Sequence, residues 1–138
     1  MEMAVRLEKP DYIIHLGDLE SDAMELNRRF YDIPLCSVPG NCDLMPFGQK
    51  RLIFDLEGKK FFVTHGHMYN VKSTYDALIN TALTAGADIA LFGHTHTPYE
   101  AVVAGMLVAN PGSIGSGSRT YGVLTIENGE VSYEHRAI

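Results

Sequence analysis

Asp88-Ile89-Ala90-Leu91-Phe92-Gly93-His94-Thr95-His96, near the middle of the chain, decides how the rest is read. Its first five residues read as a buried strand, a short apolar run ended by a glycine. Such a strand delivers the next residues to a strand end, and in open α/β sheets ligands sit outside the carboxyl ends of strands. Those next residues are His-x-His. Two histidines two apart face the same way on an extended backbone. Imidazole nitrogen is a ligand for zinc, manganese, iron and nickel. Taken alone, the pair is better explained as two loop histidines without a ligand.

Three other turns of the same form change that balance. Tyr12-Ile13-Ile14-His15-Leu16 reads as a buried strand ending at Gly17-Asp18. Leu35-Cys36-Ser37-Val38 ends at Pro39-Gly40-Asn41-Cys42-Asp43, and a strand over 60–64 ends at His65-Gly66-His67. Glycine permits both the sharp turn and the close approach of a ligand. Four such turns, in order and each at a strand end, are poorly explained as chance. Aspartate, asparagine and histidine together form a mixed oxygen and nitrogen set, suited to manganese, iron or zinc rather than calcium. A carboxylate can bridge two ions, and two ions about 3.5–4 Å apart clamp an in-line phosphoryl displacement.

The bulk properties set bounds. A chain of 138 residues, 46% hydrophobic and 20% charged, is expected to form one globular domain over 1–138. Its formal net charge of −6 argues against non-specific nucleic-acid binding. No apolar run approaches the ~20 residues that span a bilayer. The start, Met1-Glu2-Met3-Ala4-Val5-Arg6, is too short and polar for a signal peptide. Two cysteines, Cys36 and Cys42, make neither a disulfide framework nor a zinc finger, so a cytoplasmic location is the expectation.

Local patterns fill in the remaining elements. Residues 1–9 read as the end of an amphipathic helix stopped by Pro10. Asp22, with Glu25 three residues on, is expected to cap a second helix running to Phe30. Segments 51–55 and 60–64 flank Glu57-Gly58 as a hairpin. The clearest helix covers about 74–85. Ser73 and Asp76 resemble a capping box, Val71, Tyr75, Leu78, Ile79, Ala82 and Leu83 mark one face, and Gly86 suits the C-terminus. Extended segments near 99–103 and 106–109 join at Ala104-Gly105, and Asn110-Pro111-Gly112-Ser113 opens a Gly/Ser-rich loop. A last hairpin, 121–126 and 130–134, turns on Asn128-Gly129.

Gly17-Asp18, Gly40-Asn41-Cys42-Asp43, His65-Gly66-His67 and Gly93-His94-Thr95-His96 together resemble the ordered motifs of the calcineurin-like metallophosphoesterases. Asn110-Pro111-Gly112-Ser113 and Tyr121-Gly122 are further similar to the small YfcE-type phosphodiesterases and to the retromer subunit of the same fold. The resemblance spans nearly the whole chain. It implies a four-layer α/β/β/α sandwich and hydrolysis of phosphodiesters or phosphomonoesters by a metal-bound hydroxide. By the same resemblance Asp18 bridges two metals, Asn41, His65 and His94 complete the second site, and His96 belongs to the first. Manganese is the expected ion, with nickel, zinc and iron as alternatives.

Two departures from the family pattern stand out. Its opening strand carries Asp-x-His, two ligands of the first metal, and these 138 residues contain no Asp-x-His. The expectation is therefore a domain lacking its first strand and most of its first helix, with impaired activity and one good metal site. Many relatives also place a histidine at the leaving group where this chain has Cys42, a poor imidazole substitute that YfcE-type members share. The alternative function is a catalytically inactive binding or scaffold module on the same fold.

Other residues carry weaker expectations. His67 is expected to support the ligands rather than bind metal, and His15 reads as a core or supporting histidine. Asp43 either holds Asn41 or caps a turn. Arg119 either meets a phosphate or is a solvated loop arginine. Cys42 is expected to be an unreactive small residue, and His135 reads as surface. The partner expected is a small phosphoester substrate, with no membrane. A strand at Tyr12, Ile13, Ile14 and Leu16 left without its neighbour would be wet and unpaired, so a homo-oligomer is expected.

Overall fold

The computed structural model describes residues 1–17, 20–39, 51–115, 117 and 119–138. In chain order it runs α1 (Glu2–Glu8), β1 (Ile13–His15), α2 (Glu20–Arg29), β2 (Leu35–Ser37), β3 (Arg51–Leu56), β4 (Lys59–Thr64), a 3₁₀ turn at His67–Tyr69, α3 (Asp76–Thr84), β5 (Ile89–Leu91), β6 (Tyr99–Val103), β7 (Met106–Asn110), β8 (Thr120–Glu127) and β9 (Glu130–Ala137). Pro10 comes directly after α1 and its cap, and Lys9 closes the helix in the left-handed region at φ 49°. The β3–β4 and β8–β9 hairpins turn on Glu57-Gly58 and Asn128-Gly129, with all four φ angles positive, as tight two-residue hairpin loops require.

Two expected caps are replaced by other contacts. α2 already contains Glu20, so Asp22 lies inside its first turn, and Glu25 instead pairs with Arg28 and Arg29 at 2.7 Å each. At α3 the Asp76 N–H is taken by Thr74 Oγ1 at 3.2 Å, while Ser73 donates to Asn70. The polar oxygen nearest the first free N–H groups wins, and backbone geometry rather than sequence spacing decides which that is.

Five strands form a mixed sheet in the order β3-β4-β5-β7-β6, with β4, β5 and β7 parallel and the edge strands antiparallel to their neighbours. The inner strands are covered on both sides, which explains their unbroken apolar runs. Phe62, Ala90, Phe92 and Val108 face one way and pack with Leu78 and Ala82 of α3. Phe61, Val63, Ile89, Leu91, Leu107 and Ala109 face the other way. Phe61 and Phe62 are fully buried, each contributing about 1.5–3 kcal/mol of apolar transfer free energy.

The second face of this sheet is covered by two strand pairs, the parallel pair β1–β2 and the antiparallel pair β8–β9. Tyr12 stacks on Phe54 of β3 with ring centroids 6.2 Å apart, and His135 of β9 reaches Asn110 of β7, so on this one face the first pair lies toward the β3 edge and the second toward the β7 side. Outside them, α2 packs on β2, and Glu2 of α1 pairs with Arg29 of α2 at 2.7 Å. Glu8 of α1 accepts from Tyr121 of β8 and Arg136 of β9, each at 2.7 Å. The result is the expected α/β/β/α sandwich: α3, the five-stranded sheet, the two strand pairs, then α1 and α2.

Among the described residues β2 is the ladder partner of β1, and the residues of β1 are half-buried. Ile14 and Leu16 pack into the core between the sheets, because the five-stranded sheet covers the face they occupy.

Candidate metal centre

The strands that carry the turns are parallel in pairs, β1 with β2 and β4 with β5, so each pair delivers its turns to one end. One hydrogen bond joins the two layers there. His65, immediately after β4, donates Nδ1–H to the Leu16 carbonyl after β1, at 2.7 Å and across 49 residues of sequence. A second ties neighbouring strands: Gly93 N–H donates to the His65 carbonyl at 2.9 Å. Glycine is needed at 93 for proximity. A Cβ there would stand 3.2 Å from the Leu16 carbonyl oxygen and 3.6 Å from His65 Nδ1. Gly66 is needed for its backbone, at φ 108°, which turns the chain between His65 and His67.

The Leu16 bond also sets the chemistry of His65. With the proton on Nδ1, the Nε2 lone pair is presented inward, the arrangement in which a second hydrogen bond orients a metal-binding imidazole. That Nε2 lies 3.2 Å from His94 Nδ1. Two nitrogens on one tetrahedral zinc-like ion, each at about 2.0–2.1 Å, are separated by about 3.3 Å. The observed contact is a hydrogen bond from His94 Nδ1–H to His65 Nε2, at a spacing that a shared ion would also set. His67 stands close by, its ring 5.4 Å from His65 and 6.2 Å from His94, with Nδ1 buried and unpaired among the described residues. An unpaired buried nitrogen costs about 1–3 kcal/mol.

The turn after β5 departs from expectation. His94 and His96 are not on extended backbone; both are left-handed, at φ 66° and 58°. They consequently diverge: His94 is half-buried against His65, whereas His96 is exposed. The turn is stitched by Asn110, which is fully buried at the end of β7. Its Nδ2 donates to the Gly93 carbonyl at 2.9 Å and to Thr95 Oγ1 at 3.0 Å, while its Oδ1 accepts from Gly112 N–H at 2.9 Å. With acceptors on one side and a donor on the other, the amide has one satisfied orientation.

Of the residues singled out from the sequence, the structure gathers His65, His67 and His94. Asp18, Asn41, Cys42 and Asp43 lie outside the described residues. Among the described residues, no three His, Cys, Asp or Glu side chains converge as a metal cage. His15 Nδ1 accepts from Gly17 N–H at 3.3 Å. Arg119 is exposed and left-handed at φ 52°, at the foot of β8. His135 is not a surface residue: it is half-buried, donates Nε2–H to the Asn110 carbonyl at 2.8 Å, and sits edge-on to Tyr133 at 5.0 Å. Sequence reasoning misses the structural role of Asn110, although its place at the head of Asn110-Pro111-Gly112-Ser113 is a signal. Burial pushes the Cys36 thiol up to about 11, despite a hydrogen bond from Tyr12 that favours the thiolate.

With this geometry in view, residues 1–129 match the model of the calcineurin-like phosphoesterase superfamily domain. The chain belongs to that family. It is 34% identical over 122 residues to the probable metallophosphoesterase YsnB of Bacillus subtilis, covering 86% of this chain and 70% of the relative. It is 27% identical over 141 residues to the phosphodiesterase MJ0936 of Methanocaldococcus jannaschii, covering 89% of this chain and 81% of that one. Among solved structures, Vps29 complexed with zinc from Entamoeba histolytica superposes with a TM-score of 0.72 at 22% identity, over 91% of this chain and 81% of that one. That likeness is one of fold. Family membership carries dependence on a divalent metal, which the donor chemistry at His65 and His94 suits. Among the described residues no helix is long and apolar enough to cross a membrane.

Proposed function

We propose that this protein hydrolyses phosphodiesters with a divalent metal held by His65 and His94, completed by Asn41 and by Asp18 as the carboxylate, with His96 and Asp18 serving a weaker second position. The observation that carries this reading is the His65 tautomer. Its Nδ1 proton is committed to Leu16, and its Nε2 lone pair is aimed at the place where His94 Nδ1 also points. When bound, the ion supplies a Lewis acid for the phosphoryl group and an activated water as nucleophile. The protein's part is to orient. Leu16 holds the His65 proton away from the ion, and Asn110 holds the turn that carries His94. Asp18 and Asn41 add oxygen donors to the two nitrogens, a mixture that suits manganese, with nickel, zinc and iron as alternatives.

The test strips the protein of metal and restores manganese, nickel, zinc or iron one at a time. Release of nitrophenol is then followed from bis-p-nitrophenyl phosphate and from p-nitrophenyl phosphate. Metal-dependent turnover favouring the diester is expected, with manganese most effective. Metal binding without hydrolysis of either ester refutes the proposal and leaves the binding-module reading in its place.

A further inference from the structure

We propose that Asn110 is a positioning residue for the metal centre: its buried carboxamide holds the 93–97 turn in the conformation that aims His94 at His65, and His135 holds Asn110 in turn. This rests on the metal-centre reading above. It assigns a role to the Asn110-Pro111-Gly112-Ser113 motif and to His135, neither of which binds metal in that reading.

The turn needs holding. His94 and His96 both occupy the left-handed region, which is uncommon for side-chain-bearing residues. Asn110 spends both amide protons on this turn, one on the Gly93 carbonyl just before His94 and one on Thr95 Oγ1 between the two histidines. Thr95 Oγ1 passes the constraint on by accepting from Thr97 N–H at 3.2 Å. On the far side, Gly112 N–H and the His135 ring fix the amide and the carbonyl of Asn110. A continuous chain of hydrogen bonds thus runs from β9 through β7 to the ligand turn. Aspartate has nearly the same shape, but an ionised carboxylate donates nothing and would face the Gly93 carbonyl. Changes in groups that orient metal ligands typically weaken affinity by about 10–100-fold.

The experiment uses Co²⁺ as a spectroscopic probe. Its affinity and visible absorption are measured for the wild-type chain, Asn110→Asp, Thr95→Val and Ile89→Val. Ile89 lies in the core away from the turn and controls for lost stability. Asn110→Asp is expected to bind Co²⁺ about 10–100-fold more weakly, with a shifted absorption band. Thr95→Val, which removes half of the clamp, is expected to fall between it and wild type. Ile89→Val is expected to lower the melting temperature while keeping the wild-type affinity and spectrum. Wild-type affinity and spectrum in folded Asn110→Asp overturn the inference, as does an equal loss in Ile89→Val, which would show general destabilisation. If Asn110→Asp does not fold, Thr95→Val decides, and unchanged binding there overturns the inference. A wild-type chain that binds no Co²⁺ instead overturns the metal centre itself, and this inference with it.

Discussion

Gly93→Ala tests the joint between the two sheets with a single methyl group. Gly93 is not left-handed, so alanine can adopt its backbone, and the effect is one of space. The new Cβ would meet the Leu16 carbonyl oxygen at 3.2 Å and Leu16 Cβ at 3.4 Å, so its neighbours must give by a few tenths of an ångström. That carbonyl oxygen is the one that receives the His65 proton at 2.7 Å. Overpacking of a filled site costs about 1–3 kcal/mol. Weakening the His65 bond removes part of about 0.5–1.5 kcal/mol. Against this, alanine restricts the unfolded chain and returns about 0.4–1 kcal/mol. The net is a destabilisation of about 1–2 kcal/mol, or about 3–8 °C in melting temperature for a domain of this size. Because the shift falls on the group that orients His65, metal affinity should fall about 10–100-fold as well. Differential scanning calorimetry of the metal-free protein and titration calorimetry with Mn²⁺ read the two effects separately. Gly115→Ala is the control, since a Cβ there meets nothing within 4 Å among the described residues. Gly93→Ala with the melting temperature and affinity of Gly115→Ala would refute the close packing of Leu16, His65 and Gly93, and with it the account of the His65 tautomer.

The same geometry sets further outcomes. His94→Ala and Asn41→Ala should each abolish most metal binding in titration calorimetry, because each removes a proposed ligand; unchanged affinity in either rejects the assigned set. The Tyr121 hydroxyl, and behind it the Arg136 guanidinium, holds Glu8 below its ordinary value of 4.5, against the opposing effect of burial. A lowered folded-state pKa gives stability that is present above the unfolded value and is lost as pH falls through the folded one. Melting curves should therefore show Glu8→Gln less stable than wild type at about pH 7, with the gap narrowing as the pH falls below the ordinary carboxylate value; a gap independent of pH contradicts the pairing. In a Cys42→Ser background Cys36 should resist iodoacetamide at mild alkaline pH. Its thiol, pushed up to about 11, carries about 100-fold less thiolate than one at the ordinary value of 9.0, and mass spectrometry showing rapid modification would exclude that burial.

The strands that bring the candidate site together were legible because their signal is local. Ile89–Leu91 and Lys59–Thr64 announce themselves as apolar runs, and glycine beside a ligand-type residue marks where each ends. The same holds for the hairpin turns at Glu57-Gly58 and Asn128-Gly129, where glycine, and at 128 asparagine, tolerates positive φ by its own chemistry. With the order of the four motifs, this was enough to determine the family and the layered α/β fold. How those ends meet was decided by the tertiary structure alone. His-x-His spacing implied two imidazoles side by side, yet His94 turned inward and His96 outward. The backbone there is set by Asn110, sixteen residues beyond His94 and on a different strand. Nothing at 110 or 135 marks a partner by periodicity, since His135 reaches Asn110 only because β9 lies over β7. The tautomer of His65 likewise depends on a carbonyl 49 residues away, a group every residue possesses. Local sequence specifies which residues can bind or turn; the packing of one sheet on the other determines which distant backbone atom each one finds.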